Sequence, residues 1–157
     1  PVEVNSILRE TVEFLTPQMK LSNVEIEVNL ADNLPQVFAD RIRLEQVFLN
    51  LLTNARQATE DCPERRVFVR TRHEAGVPLP VVIEIADTGK GFTPEVAERL
   101  FTPFFSTKKA RHGTGLGLSI SLTIIKDHQG TIVASGAPGR GASFVVRLPA
   151  LDEEETP

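Results

Sequence analysis

A chain of 157 residues with 41% hydrophobic side chains is long enough for one domain with a real core, burying roughly two thirds of the unfolded surface. The single Cys62 excludes an internal disulfide, and no apolar run reaches the ~20 residues that cross a bilayer or resembles a secretion signal. Together these predict a cytoplasmic segment without direct membrane contact, and a formal net charge of -4 argues against general nucleic-acid binding, which concentrates positive charge against phosphates.

The chain opens at Pro1 rather than Met and reads as a fragment of a longer protein, with one domain over 1–150 and an acidic tail over 151–157. From Asn5, the residues Ile7, Leu8, Val12, Phe14, Leu15 and Met19 recur at helical spacing, and Pro17 is expected to kink or end that helix. Val24, Ile26, Val28 and Leu30 then alternate with Glu25, Glu27 and Asn29, the period of a strand with one buried face, closed by Asp32, Asn33 and Pro35. Asp40 can cap a second helix whose apolar stripe is Leu44, Val47, Phe48, Leu51, Leu52, Ala55 and Ala58. Two alternating runs follow, Val67, Val69, Thr71 and Val81, Ile83, Ile85, and then a short helical stretch over 94–100. A polar, glycine-containing segment over 102–115 precedes a buried helix with Leu118, Ile120, Leu122, Ile124 and Ile125, which Gly130 is expected to end in a left-handed cap. Strands over 131–134 and 142–148 flank a turn rich in glycine and proline. The pattern predicts an α+β chain, a mixed sheet with helices layered on one face.

Asn50 and Asn54 lie four apart on the second helix and project from one side, together with Gln57. Asn carbonyl oxygens are hard ligands suited to Mg²⁺ shared with phosphates; solvation, or bonding to a neighbouring segment, explains two helical amides equally simply. Asp87 continues the two-residue period of Ile83 and Ile85 and so points to their buried face, just before Thr88-Gly89-Lys90-Gly91. A carboxylate at an apolar rim needs a donor, and the exocyclic amine of adenine is one, worth roughly 1.5–3 kcal/mol as a hydrogen bond to a charged acceptor. Gly89 and Gly91 would let the backbone approach the base; an ordinary turn, with Asp87 bonding its own backbone amides, is the alternative.

Gly113-Thr114-Gly115-Leu116-Gly117 runs directly into the buried helix and offers backbone amides to a phosphate, although a flexible hinge would use the same glycines. The spacing matches neither the Rossmann fingerprint nor the P-loop. Between them lies an aromatic anchor that includes Phe105, followed by a basic stretch with Lys108, which suits a mobile lid whose lysine reaches a terminal phosphate or is simply solvated. His73, His112 and His128 are too scattered for zinc or for a nucleophile–base pair, and His128 is expected to pack or cap.

In order, Asn-Leu-Leu-Thr-Asn-Ala (50–55), Asp-Thr-Gly-Lys-Gly (87–91), Phe-Thr-Pro-Phe-Phe (101–105) and Gly-Thr-Gly-Leu-Gly-Leu (113–118) resemble the N, G1, F and G2 boxes of sensor histidine kinases. The resemblance is to their catalytic and ATP-binding domain, and especially to nitrogen-regulation sensors. It covers nearly the whole chain and implies the Bergerat fold: a two-layer sandwich with about five mostly antiparallel strands, three main helices on one face and an ATP lid. It implies that Asn54 with Asn50 holds Mg²⁺, that Asp87 reads adenine, that residues 113–117 cradle the phosphates of ATP, and that Lys108 assists transfer. An amide at Asn50, where related ATPases carry a water-activating glutamate, favours phosphotransfer over hydrolysis. Gln57 stands where many relatives have a lysine. The implied acceptor is a histidine on a dimerisation domain outside this chain, and a response-regulator receiver domain is the implied downstream partner. The isolated domain is expected to be a monomer and the parent a homodimer. A serine kinase of the anti-sigma type and a non-catalytic docking module are the alternatives.

Overall fold

The structure, a computed structural model, describes residues 1–103 and 117–151. Helix α1 (Val4–Leu21) buries Val4, Ile7, Leu8, Thr11, Leu15 and Met19, one stripe at a period of 3.6. Pro17 lies inside this helix and does not end it. It sits on the exposed side, so the carbonyl of Glu13 that loses its amide partner is one that water reaches. The helix ends four residues later, where Asn23 adopts φ 57° and the Val24 amide donates to the Met19 carbonyl at 2.8 Å.

Five strands, β1 (Glu25–Asn29), β2 (Arg66–His73), β3 (Val81–Asp87), β4 (Thr131–Gly136) and β5 (Ala142–Leu148), form one sheet in the order β1-β2-β3-β5-β4. Only β1 and β2 pair in parallel; the other neighbours are antiparallel. The parallel pair needs a long crossover, supplied by α2 (Arg41–Ala58). Register places Val69, Ile85 and Phe144 side by side, and Asp87 beside Val67 and Ala142, so one face of the sheet collects the buried residues. Against it pack α1, α2 and α4 (Gly117–Asp127), whose large apolar residues Ile7, Leu44, Phe48, Leu51 and Ile125 are at most 1% exposed. This is the two-layer α+β arrangement expected. The edge strand β1 departs from expectation, because Val28 is 43% exposed: at the sheet margin solvent reaches the side chain.

The opposite sheet face carries charge. Glu74 accepts from Arg72 at 2.9 Å and Arg147 at 2.7 Å, while Glu84 accepts from Arg70 and Ser143. Val82, fully buried on this outer face, lies in register between Arg72 and Arg147, whose aliphatic stems suit it as cover.

Asp40 caps α2 as expected, its Oδ1 accepting from Ile42 and Arg43 amides at 3.1 and 3.2 Å. At the end of α4 the left-handed residue is Gln129 (φ 59°), not Gly130. The Gly130 amide closes the cap on the Ile125 carbonyl at 2.9 Å, and glycine is required there by space, since a Cβ would meet the Arg147 carbonyl at 2.5 Å. His128 does cap: Nε2 accepts from the Asp40 amide at 3.1 Å, and Nδ1 bonds the Ile124 carbonyl at 2.7 Å. With Arg43 bonding Asp127 at 2.7 Å, this fastens the end of α4 to the start of α2. The two ends of the domain meet as well: Val2 bridges Val37 through two backbone bonds, and the Leu151 amide donates to the Gln36 carbonyl at 2.7 Å.

Candidate functional site

A small cleft, open to solvent, forms where β3 ends beside the last turns of α2. Asn54 and Ala58 enter from α2, one turn apart on one side of the helix. Asp87 enters from the end of β3, and Lys90, Gly91 and Phe92 from the loop that follows. Val96 and Leu100, contributed by α3 (Pro94–Arg99) and its C-terminal cap, and Ala142 and Phe144 from β5 complete the wall. Phe144 packs edge-on against Phe92 and Phe101, with centroids 6.4 and 6.3 Å apart, so the wall beside the carboxylate is apolar and rigid.

Asp87 is 6% exposed. Its Oδ1 accepts from the Gly89 amide at 2.8 Å, and Oδ2 has less than 1 Å² of accessible surface. The loop that carries it is held from three sides. Thr88 pairs with Arg66 through its amide and its Oγ1, at 3.1 and 2.9 Å. The Lys90 amide donates to the Ala58 carbonyl of α2, and the Lys90 carbonyl accepts from Gly139 in the β4–β5 turn at 2.7 Å. That packing leaves no room for side chains: a Cβ on Gly89 would strike the Ala58 carbonyl, and one on Gly91, already at φ 65°, the Ala137 carbonyl.

Asn50 stands one turn before Asn54. Its Nδ2 donates to the Gly117 carbonyl at 3.2 Å and to Ser121 Oγ at 3.4 Å, both on α4. Its Oδ1 is the end of the amide suited to a cation.

The structure therefore brings Asn54, Asp87 and Gly91 together in the cleft, places Gly89 outside its lining as the donor to Asp87 Oδ1, and sets Asn50 beside Gly117 at the start of α4. Gln57 is half-buried on α2 but is not among the residues that line the cleft. Phe105, Lys108, Gly113, Thr114, Gly115 and Leu116, with His112 and the expected lid, lie outside the described residues. Sequence reasoning missed Ala58, Lys90, Phe92 and Phe144 as cleft residues. Ala58 was within reach, four residues after Asn54, and Phe92 directly follows Gly91; Phe144 gives no local signal, because only the β3–β5 pairing brings it here. Among the described residues no group of three or more His, Cys, Asp or Glu could hold a metal, and no helix is long and apolar enough to cross a membrane.

The fold is that of a known class, and the chain belongs to it: the family of histidine kinase-, DNA gyrase B- and HSP90-like ATPases, matched over residues 39–152. Within that family it is most informatively compared with sensor histidine kinases. It is 36% identical to sporulation kinase E of Bacillus subtilis (strain 168) over 152 residues, 97% of this chain and 20% of that protein. It is 40% identical over 131 residues to the sensor protein FixL of Bradyrhizobium diazoefficiens, 83% of this chain and 25% of that one. The chain thus spans about a quarter or less of the length of these two relatives. Among solved structures, the nucleotide-free catalytic domain of histidine kinase ThkA superposes with a TM-score of 0.81 at 30% identity, covering 95% of this chain and 93% of that one. Full-length ShkA in complex with AMPPNP gives 0.82 at 31%, covering 96% of this chain and 30% of that one. The chain is an ATP-binding domain of the histidine kinase type.

Proposed function

We propose that this domain binds Mg-ATP in the cleft and presents the γ-phosphoryl group to a histidine on another domain of its parent protein. The observation that carries the reading is the buried Asp87 carboxylate at the rim of an apolar cleft, on a loop whose glycines let it pack tightly against α2 and the β4–β5 turn and so hold the carboxylate in place. Oδ1 accepts from Gly89, and a carboxylate, which accepts several hydrogen bonds, can take a further one from the adenine 6-amino group. Phe92 and Phe144 give the base an apolar wall.

The phosphates then extend toward α4, where the amides of residues 113–117 would receive them at a helix start. Asn50 and Asn54 are the proposed Mg²⁺ ligands, and the donor set fits: two amide oxygens one turn apart, with the Asn50 nitrogen already engaged by α4. When bound, the ion neutralises phosphate charge. The chain's own part is positional and electrostatic, with helix amides and Lys108 stabilising charge as the P–O bond to ADP breaks and the bond to the imidazole nitrogen forms. Asn50 has no basic atom to take a proton from water, which disfavours hydrolysis. The acceptor histidine, a receiver domain downstream and a homodimeric parent belong to this proposal.

The test is incubation of the intact parent with labelled ATP. Acid-labile phosphohistidine supports the reading; acid-stable phosphoserine overturns it. Titration of the domain with Mg-ADP separates both from a docking role, for which no binding heat is expected.

A further inference from the structure

Ser121 is fully buried in α4. A buried hydroxyl must place both its proton and its lone pairs. Its Oγ–H donates to the Gly117 carbonyl, one turn back, at 2.9 Å, which leaves only lone pairs facing α2. Asn50 Nδ2 lies 3.4 Å from that Oγ and 3.2 Å from the Gly117 carbonyl oxygen. Both neighbours are acceptors. The amide nitrogen of Asn50 must therefore face α4, and Oδ1 must face away from it.

This matters because an asparagine amide has two nearly isosteric orientations, and only one turns an oxygen to a cation. We propose that Ser121 is a positioning residue, which together with the Gly117 carbonyl locks the Asn50 amide with its oxygen toward the bound Mg-nucleotide. The proposal rests on the nucleotide reading above and deepens it. A second consequence is directional: because the lock joins α2 to the first turn of α4, the oxygen is fixed before any metal arrives.

The experiment is calorimetric titration of the domain with ADP at a series of Mg²⁺ concentrations, for the wild type, Ser121→Ala and Ser121→Cys. Cysteine keeps the volume but accepts hydrogen bonds poorly, so it carries the test if the alanine variant is unstable. The Mg²⁺ concentration for half of the metal-dependent gain in ADP affinity is expected to rise about tenfold in both variants, as when a ligand's supporting hydrogen bond is removed. ADP affinity without Mg²⁺ should not change. In metal-free protein, the Asn50 side-chain amide protons should exchange faster with water in the variants. A Mg²⁺ midpoint within twofold of wild type in a folded variant overturns the lock, and so does equal loss of ADP affinity with and without Mg²⁺, the mark of a packing defect. A wild type without any Mg²⁺-dependent gain overturns the metal assignment of Asn50, and the lock with it.

Discussion

Replacing Asp87 by Asn keeps the shape of the side chain and turns one acceptor oxygen into a donor. If the remaining oxygen keeps its bond from Gly89, the new NH₂ faces the adenine amine, donor against donor. ADP affinity is expected to fall about 10- to 100-fold, the equivalent of roughly 1.5–3 kcal/mol for a hydrogen bond to a charged acceptor. Inosine diphosphate, which presents a carbonyl acceptor where adenine presents the amine, should bind the variant no worse than the wild type; equal losses for both nucleotides would refute amine recognition. At this scale the sequence left two readings of Asp87 open, a self-bonded turn and a base reader; the turn bond is present, from the Gly89 amide to Oδ1, and the two readings are compatible because a carboxylate accepts more than one hydrogen bond. Ser121 gave no signal at all, because its meaning depends on a partner 71 positions away.

Among the elements, α2 is the best specified locally, and its cap is worth testing. Asp40→Ala removes both acceptor contacts to the first turn and should cost about 1 kcal/mol, read as a lower urea midpoint at unchanged slope. The charged sheet face makes a pH prediction. Arg147 and Arg72 hydrogen-bond Glu74 and pull its carboxyl down from 4.5 to about 2; Glu84 is lowered too, chiefly by its bond from Arg70. A carboxyl depressed on folding stabilises above its unfolded value and loses that contribution as pH falls through the folded one. Stability should therefore decline from pH ~4.5 toward ~2, and Glu74→Gln should flatten this limb; an unchanged slope in urea melts would refute the assignment. Element boundaries were less legible than element types. Pro17 was tolerated because it faces water, and Gln129 took the left-handed cap because Gly130 was needed against Arg147.

For the molecule as a whole, hydrophobic periodicity was enough to foresee helices on one face of a mixed sheet, since each element's period survives burial. Strand order was not legible from period alone. The parallel β1–β2 pair and the β3–β5 pair both join segments far apart in sequence, and what selects them is the shared core rather than any turn. The cleft inherits this: its carboxylate and its aromatic wall come from strands that only the completed sheet makes neighbours.

The bridge of Val2 to Val37 and the bond from Leu151 to Gln36 strap both termini of the domain to adjacent residues. A loop of about five residues, each spanning up to ~3.5 Å, is enough to join them, so the chain can be reopened elsewhere. A circular permutant cut in the exposed turn at Gly76 and sealed across these ends should fold and bind ADP as the linear chain does. Failure to bind in a permutant with native circular dichroism would mean that the strap, and not mere closeness of the ends, is needed to hold the sheet in shape.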